Sequence, residues 1–381
     1  MNKNTICTFA FCTLLTLITA CSSGGREVSL LHGGDTLQLR YADNLTMVEH
    51  EHFTQVSLRN PWDTTRVLHR YVLVSSDSDI PAEELPEGTV VKVPLKHSVV
   101  YTALHCSLMD ELGVLDAIAG VCDLKYIQIP EIAQACKEGR IHDLGSGMGP
   151  DVERMIELDP DAILLSPFEN SGGYGKVDQL GVAIIECADY METSPLGRAE
   201  WMRFYGRLFG RSEEADSLFN RVEESYLHWK SKTATVTGKP SAFCDLPIGN
   251  ATWYMPGGRS TIGQLYADAG ADYLFKHDDR TGSIPLSFET VFDKAENADV
   301  WLIRDASVPM HTYASLKADY APYTRFKAFK ERNVYQCNTL EVPFFEEVPF
   351  HPDRLLRDFI LIFHPELSDG KPLRYYRALE E

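Results

Sequence analysis

The sequence of 381 residues predicts an α/β protein: two α/β lobes joined by a long rigid helix, with an N-terminal antiparallel β extension. Three observations carry that expectation. Short apolar strands bounded by Gly or Pro alternate with helical stretches over residues 95–198, and the alternation resumes over 237–381. Between these stretches, residues 199–236 keep helical periodicity and hold no strand. Ahead of them, residues 21–94 contain short β-type runs separated by turn clusters.

The chain opens on MNKNTICTFAFCTLLTLITA, residues 1–20, with one Lys, no acid and an apolar stretch too short for the ~20 residues of a membrane span. It is expected to be a signal peptide. Ile18-Thr19-Ala20-Cys21 resembles a bacterial lipobox, and the small polar Ser22-Ser23-Gly24-Gly25 follows. That resemblance implies lipidation at Cys21 and a protein tethered to a membrane in the periplasm. Cys106, Cys122, Cys136, Cys187, Cys244 and Cys337 remain in the body of the chain. Cys122 and Cys136 are the only pair close enough in sequence to suggest a disulfide, and both the bonded and the free state stay open.

The β extension is read from Leu37–Tyr41, Phe53–Leu58 and Tyr71–Val74, which alternate with clusters such as Arg59-Asn60-Pro61-Trp62-Asp63. In the first lobe the expected strands are Val99–Tyr101, Ile118–Val121, Asp161–Leu165 and Val182–Ile185. Trp201, Phe204, Tyr205, Leu208 and Phe209 then recur at helical spacing up to Gly210, a suitable residue to end a helix. Ser212 is the expected cap of a second helix, which has acids in its first turn. Ala215, Leu218, Phe219, Val222, Tyr226 and Trp229 lie on one face of it. At roughly 20 residues this helix is about 30 Å long, enough to bridge two lobes. In the second lobe the expected strands are Ala242–Cys244, Val300–Ile303 and Val334–Gln336, with helices over Thr261–Ala269 and Asp353–Phe363. One internal echo stands out. An acid-containing apolar helix leads into a strand at Val152–Asp161, and again from Phe288 to Asp299.

Composition narrows the function. Lys and Arg number 36 against 55 Asp and Glu, for a formal charge of −19, and no basic run of five residues occurs, so the chain is not expected to bind nucleic acid. No Walker A motif, nucleophile elbow, dinucleotide fingerprint, CxxC or HExxH is present, so no enzyme activity, cofactor or protein-built metal site is expected. Asp159 and Asp161, with Pro160 between them, read as a helix-to-strand turn rather than an acid/base couple.

Several segments between residues 95 and 366 resemble the periplasmic binding proteins that serve ABC importers of iron-siderophores, haem and cobalamin, the type with a rigid helix between lobes. The most specific is Asp151-Val152-Glu153-Arg154-Met155-Ile156-Glu157-Leu158-Asp159-Pro160-Asp161-Ala162-Ile163. Gly181–Ile185, Trp253–Ser260, Leu286–Glu289, Asn333–Tyr335 and His364–Leu367 also match. The resemblance implies a monomeric, non-catalytic lipoprotein that captures an iron chelate, siderophore or haem, between its lobes and delivers it to a permease with a separate ATPase. A corrinoid-binding protein of the same importer type is the alternative. A chelate-handling enzyme or a surface interaction lipoprotein fits less well. By the same resemblance Glu153 and Glu289 would dock onto permease arginines. The ligand candidates are Tyr101, Phe168 and Tyr174 in the first lobe, and Trp253, Tyr254, Arg259, Arg304 and Phe344, beside Phe345, in the second. Aromatic faces suit a macrocycle or catecholate, and an Arg suits an anionic chelate.

Overall fold

A computed structural model of the chain describes residues 34–169, 173–249 and 252–381. The expected signal peptide and Cys21 lie outside the described residues.

The N-terminal extension forms a five-stranded sheet with its strands in chain order: Asp35–Thr36, Leu45–Glu49, Phe53–Arg59, Val67–Ser75 and Thr89–Val93. The first four run antiparallel, whereas Thr89–Val93 pairs parallel to Val67–Ser75 after a crossover through residues 76–88. Strand alternation turns Leu45, Met47, Val56, Leu58, Tyr71 and Leu73 into the main core. Phe53, Val72 and Val74, of opposite parity, build a small separate cluster on the other face.

Buried carboxylates fix this sheet to the rest of the protein. Glu200, fully buried, accepts the backbone N–H groups of Arg40 at 3.0 Å, Tyr41 at 2.8 Å and Ala42 at 3.0 Å. Glu192 accepts those of Asp43 and Asn44, together with the Trp201 indole N–H at 2.9 Å. Tyr71 Oη donates to the Ile184 carbonyl at 3.0 Å and accepts from Glu186 N–H at 2.9 Å, covering an edge strand of the first lobe.

That lobe is an all-parallel sheet of Ser98–Val100, Ile118–Val121, His142–Asp143, Ala162–Leu165 and Ala183–Glu186, ordered 5-4-1-2-3. The second lobe holds Ser241–Cys244, Asp272–Tyr273, Val300–Asp305, Val334–Asn338 and Arg377–Ala378, ordered 2-1-3-4-5, with only the last strand antiparallel. Each sheet therefore has a point where the chain direction across it reverses. In the first lobe it lies between Ser98–Val100 and Ala162–Leu165, in the second between Ser241–Cys244 and Val300–Asp305. Open α/β sheets bind ligands at the carboxyl ends of the strands at such points.

The echo in the sequence has a structural counterpart. Asp161 precedes a strand and binds the start of its neighbour, accepting from His97 N–H at 2.9 Å and Ser98 Oγ at 2.9 Å. Asp299 does the same in the second lobe, accepting from Ser241 N–H and Oγ, both at 2.8 Å. Pro160 and the left-handed Asp159, at φ 46°, make the turn between helix and strand.

Between the lobes, the helix Met202–Leu208 ends at Gly210, whose φ of 66° suits a residue without Cβ. The long helix Ser212–Lys232 follows, with 21 residues. Ser212 is its first helical residue rather than its cap; Arg211 takes that position and makes no side-chain cap. Acidic Glu213 and Glu214 at its start and Lys230 and Lys232 at its end still complement the helix dipole. The expected apolar face is buried, and Tyr226 Oη donates to Asp268 of the second lobe at 2.7 Å. Beside this linker lies a buried polar knot. His105 and Tyr205 both bond Asp189 Oδ1, at 3.2 and 2.9 Å, and Arg198 Nε reaches Asp189 Oδ2 at 3.0 Å.

The suggested disulfide does not form. Cys122 and Cys136 are both free. Cys122 packs with Val99, Leu144 and Ile163, whereas Cys136, on the helix Pro130–Lys137, packs against the main core. The two thiols thus belong to separate apolar clusters.

Candidate ligand-binding cleft

The carboxyl ends of the two sheets face each other. Gln128, beyond the strand Ile118–Val121, donates its backbone N–H to Glu346 at 2.7 Å and its side-chain amide to the Thr339 carbonyl at 3.4 Å. Thr339 directly follows the strand Val334–Asn338 of the second lobe. Loops that leave the strand ends of one lobe therefore touch those of the other and close one side of a cleft.

At the reversal point of the second lobe lies a cavity of about 620 Å³. Asp245 and Asp305, which end or follow the two central strands, line it with Arg304, His311, Asp319, Tyr254, Ser260 and Tyr323. The charged groups are interlocked. Arg304 pairs with Asp245 at 3.4 Å, and His311 Nε2 meets Asp305 at 2.7 Å. Burial raises the Asp245 pKa, and the nearby guanidinium opposes this without overcoming it. For Asp305 burial also acts upward, but its bonds to His311 and Ser307 prevail and lower its pKa. The same bond raises that of His311. A smaller recess of about 130 Å³ continues past Arg304, lined by Arg198, Ile262, Phe344 and Phe345.

Exposed apolar side chains occur in the loops beyond the strand ends of both lobes. Tyr126 and Phe168 in the first lobe, and Ile248, Val308, Leu340 and Phe345 in the second, are exposed in segments that follow parallel strands, and Met148 is exposed in the turn of a small hairpin beyond His142–Asp143. Met148 is 90% exposed and Phe345 62%. Of these, Ile248 lines the large cavity and Phe345 the smaller recess.

The expected ligand residues separate into groups. Tyr101 directly follows the first strand of its lobe at the reversal point, beside Gly147, and its shielded hydroxyl has no hydrogen-bond partner among the described residues. Phe168 is 54% exposed on the neighbouring strand's loop. Tyr174 is half-buried and donates to Glu186 at 2.6 Å, an inward tie. Tyr254 is 42% exposed and lines the large cavity, as does Arg304. Arg259 is exposed but lines neither cavity.

Two candidates need correction. Trp253 is fully buried: its ring lies among Phe243, Phe288, Trp301, Tyr323 and Phe326, and its N–H donates to the Cys244 carbonyl at 2.8 Å. It is core because it alternates with Tyr254 in the hairpin Trp253–Pro256 and Ser283–Leu286, so the two rings point to opposite faces. Phe344 is largely buried under Arg304 and against Tyr375, lining the smaller recess but not the large cavity, and Phe345 is the exposed member of that pair. Sequence reasoning missed Asp245, Asp305, His311 and Asp319. Asp305 could have been found as the residue completing the strand that starts at Val300.

Glu153 and Glu289 are exposed and hold the same place on two helices, second after the cap. Asp151 caps Val152–Leu158 by accepting from Arg154 N–H at 3.0 Å, and Ser287 caps Phe288–Ala295 through Thr290 N–H at 3.2 Å. Among the described residues neither Glu has an ion-pair partner.

Two doubly wound lobes, a stiff linking helix and a cleft between strand ends define a ligand-binding protein of the two-lobed type. Residues 99–339 match the family described as periplasmic binding protein, and the chain belongs to that family, whose members are non-catalytic substrate-binding subunits of ABC importers. An uncharacterised lipoprotein of Methanocaldococcus jannaschii is 26% identical over 361 residues, 89% of this chain and 84% of its own. The petrobactin-binding protein YclQ of Bacillus subtilis is 26% identical over 205 residues, 53% of this chain and 62% of its own. The solved structure of Staphylococcus aureus IsdE complexed with heme has the same fold, with a TM-score of 0.54 at 20% identity over 70% of this chain and 98% of its own.

Proposed function

We propose that the protein is an extracytoplasmic, membrane-anchored lipoprotein that captures an iron chelate, siderophore or haem, between its lobes and hands it to an ABC permease. The observation that carries this reading is a cavity of about 620 Å³ at the second lobe's reversal point, lined by the exposed Ile248 and Tyr254, with Tyr101 and the exposed Phe168 at the strand ends of the first lobe's reversal point. A cavity of this size suits a compact chelate or macrocycle. The petrobactin-binding relative supports a siderophore and the haem-bound structure a tetrapyrrole. A lipoprotein relative and the motif ending at Cys21 support the anchor.

Tyr101, Phe168, Tyr254, Arg304 and Phe345 are the proposed contacts, with Glu153 and Glu289 as permease contacts. The test is a titration of purified protein with ferric siderophores, haem and cobalamin, followed by quenching of tryptophan fluorescence. Saturable quenching by a ferric siderophore or haem at micromolar concentration or below is expected. Saturation by cobalamin alone would replace the iron reading with the corrinoid one, and no response to any ligand would reject both the iron-chelate and the corrinoid readings.

A further inference from the structure

We infer that the cleft selects by charge, accepting neutral or cationic chelates and rejecting anionic ones. This rests on the carrier reading above and narrows its ligands to siderophores without net negative charge, which sets haem and ferric catecholates outside the expected substrates.

The argument is one of pairing. Three side chains lining the two cavities can carry positive charge, and each already faces a carboxylate. Arg304 is bound by Asp245 at 3.4 Å and His311 by Asp305 at 2.7 Å, whereas Arg198 of the smaller recess meets Asp189 at 3.0 Å, a carboxylate it shares with His105. One acid is left in excess: Asp319 lines the large cavity, and its nearest cation, His311 Nδ1, is 4.0 Å away and already committed to Asp305. With every arginine and His311 charged, the large cavity is still net negative. An anionic chelate reaching Arg304 would have to share its guanidinium with Asp245, 3.4 Å away and 17% exposed, and would sit against the net negative charge of the cavity. A chelate without negative charge leaves these pairs intact. It meets Ile248 and the hydroxyls of Ser260, Tyr254 and Tyr323 instead. The pattern thus reverses the expectation that the cleft arginines neutralise an anion: Arg304 is already neutralised from within, and Arg259 lies outside the lining.

The test compares the full chain's affinity for a neutral ferric tris-hydroxamate, a cationic ferric hydroxamate bearing a free amine, a ferric tris-catecholate and haem. The neutral or the cationic chelate is expected to bind at least about tenfold more tightly than either anionic probe. The variant Asp245→Asn, which frees Arg304, is expected to narrow that ratio by about tenfold, and the exposed Asp319→Asn to narrow it without touching the buried pair. Equal or tighter binding of the catecholate or haem by the wild-type chain overturns the charge rule and leaves the carrier reading standing. Failure of all four to bind removes the charge rule and the iron-chelate reading together.

Discussion

Trp253 and Tyr254 are neighbours with opposite fates, which makes them the sharpest test at the scale of single residues. Both looked suited to a ligand in the sequence, being large, aromatic and next to Pro256-Gly257-Gly258. The hairpin sends one ring into a cluster of five aromatic rings and the other to the cavity. Trp253→Ala is therefore expected to lower stability by about 3–5 kcal/mol in urea denaturation, as large buried aromatics do. Tyr254→Ala should leave stability within about 0.5 kcal/mol and weaken ligand binding severalfold in titration. A stable Trp253→Ala protein with lost binding would restore that residue to the site. Residue type and flanking turns could not separate the two, because the decision lies in which strand face meets the core.

At the scale of elements, the extension is more than an appendage to the lobes. Its sheet shares the main core through Leu45, Met47, Val56 and Leu58, and three buried or nearly buried carboxylates, Glu192, Glu200 and Glu223, receive residues 40–44. Arg40 and Tyr41 both bond Glu223 on the long helix, so the extension spans from the first lobe to the linker. Glu200→Ala would leave the N–H groups of Arg40, Tyr41 and Ala42 without their acceptor, at about 1–3 kcal/mol for each one that stays buried. The expected result is earlier cleavage within residues 34–60 under limited proteolysis, together with a lower melting temperature. Unchanged cleavage would mean that Glu200 is not what fastens the extension. None of this was legible beforehand, because an acid in a helix gives no hint of which distant backbone it will cap.

The whole molecule carries two acids at matching positions on the two lobes, Glu153 and Glu289, each exposed and second after a capped helix start. A helix first turn alone would favour either by a few tenths of a kcal/mol. Docking predicts more: reversing both to Arg should abolish uptake in cells while ligand affinity and melting temperature of the purified protein stay unchanged. Two contacts on separate lobes fix orientation, and such pairs act mainly on encounter rate and register. Uptake that survives the double reversal rejects these residues as the permease contacts.

The sequence by itself determined the layer plan, the long helix and its buried face, the echo at Asp161 and Asp299, and the family. These follow from local periodicity and short motifs, which act over a few residues and are written contiguously in the chain. Only the tertiary structure decided the parallel fifth strand of the extension, the free Cys122 and Cys136, the burial of Trp253 and Phe344, and the charge pairing of the cleft. The reason is distance along the chain. Asp245 and Arg304 lie 59 residues apart and meet because adjacent parallel strands bring their ends together. Whether an arginine is available to a ligand or already neutralised depends on that meeting.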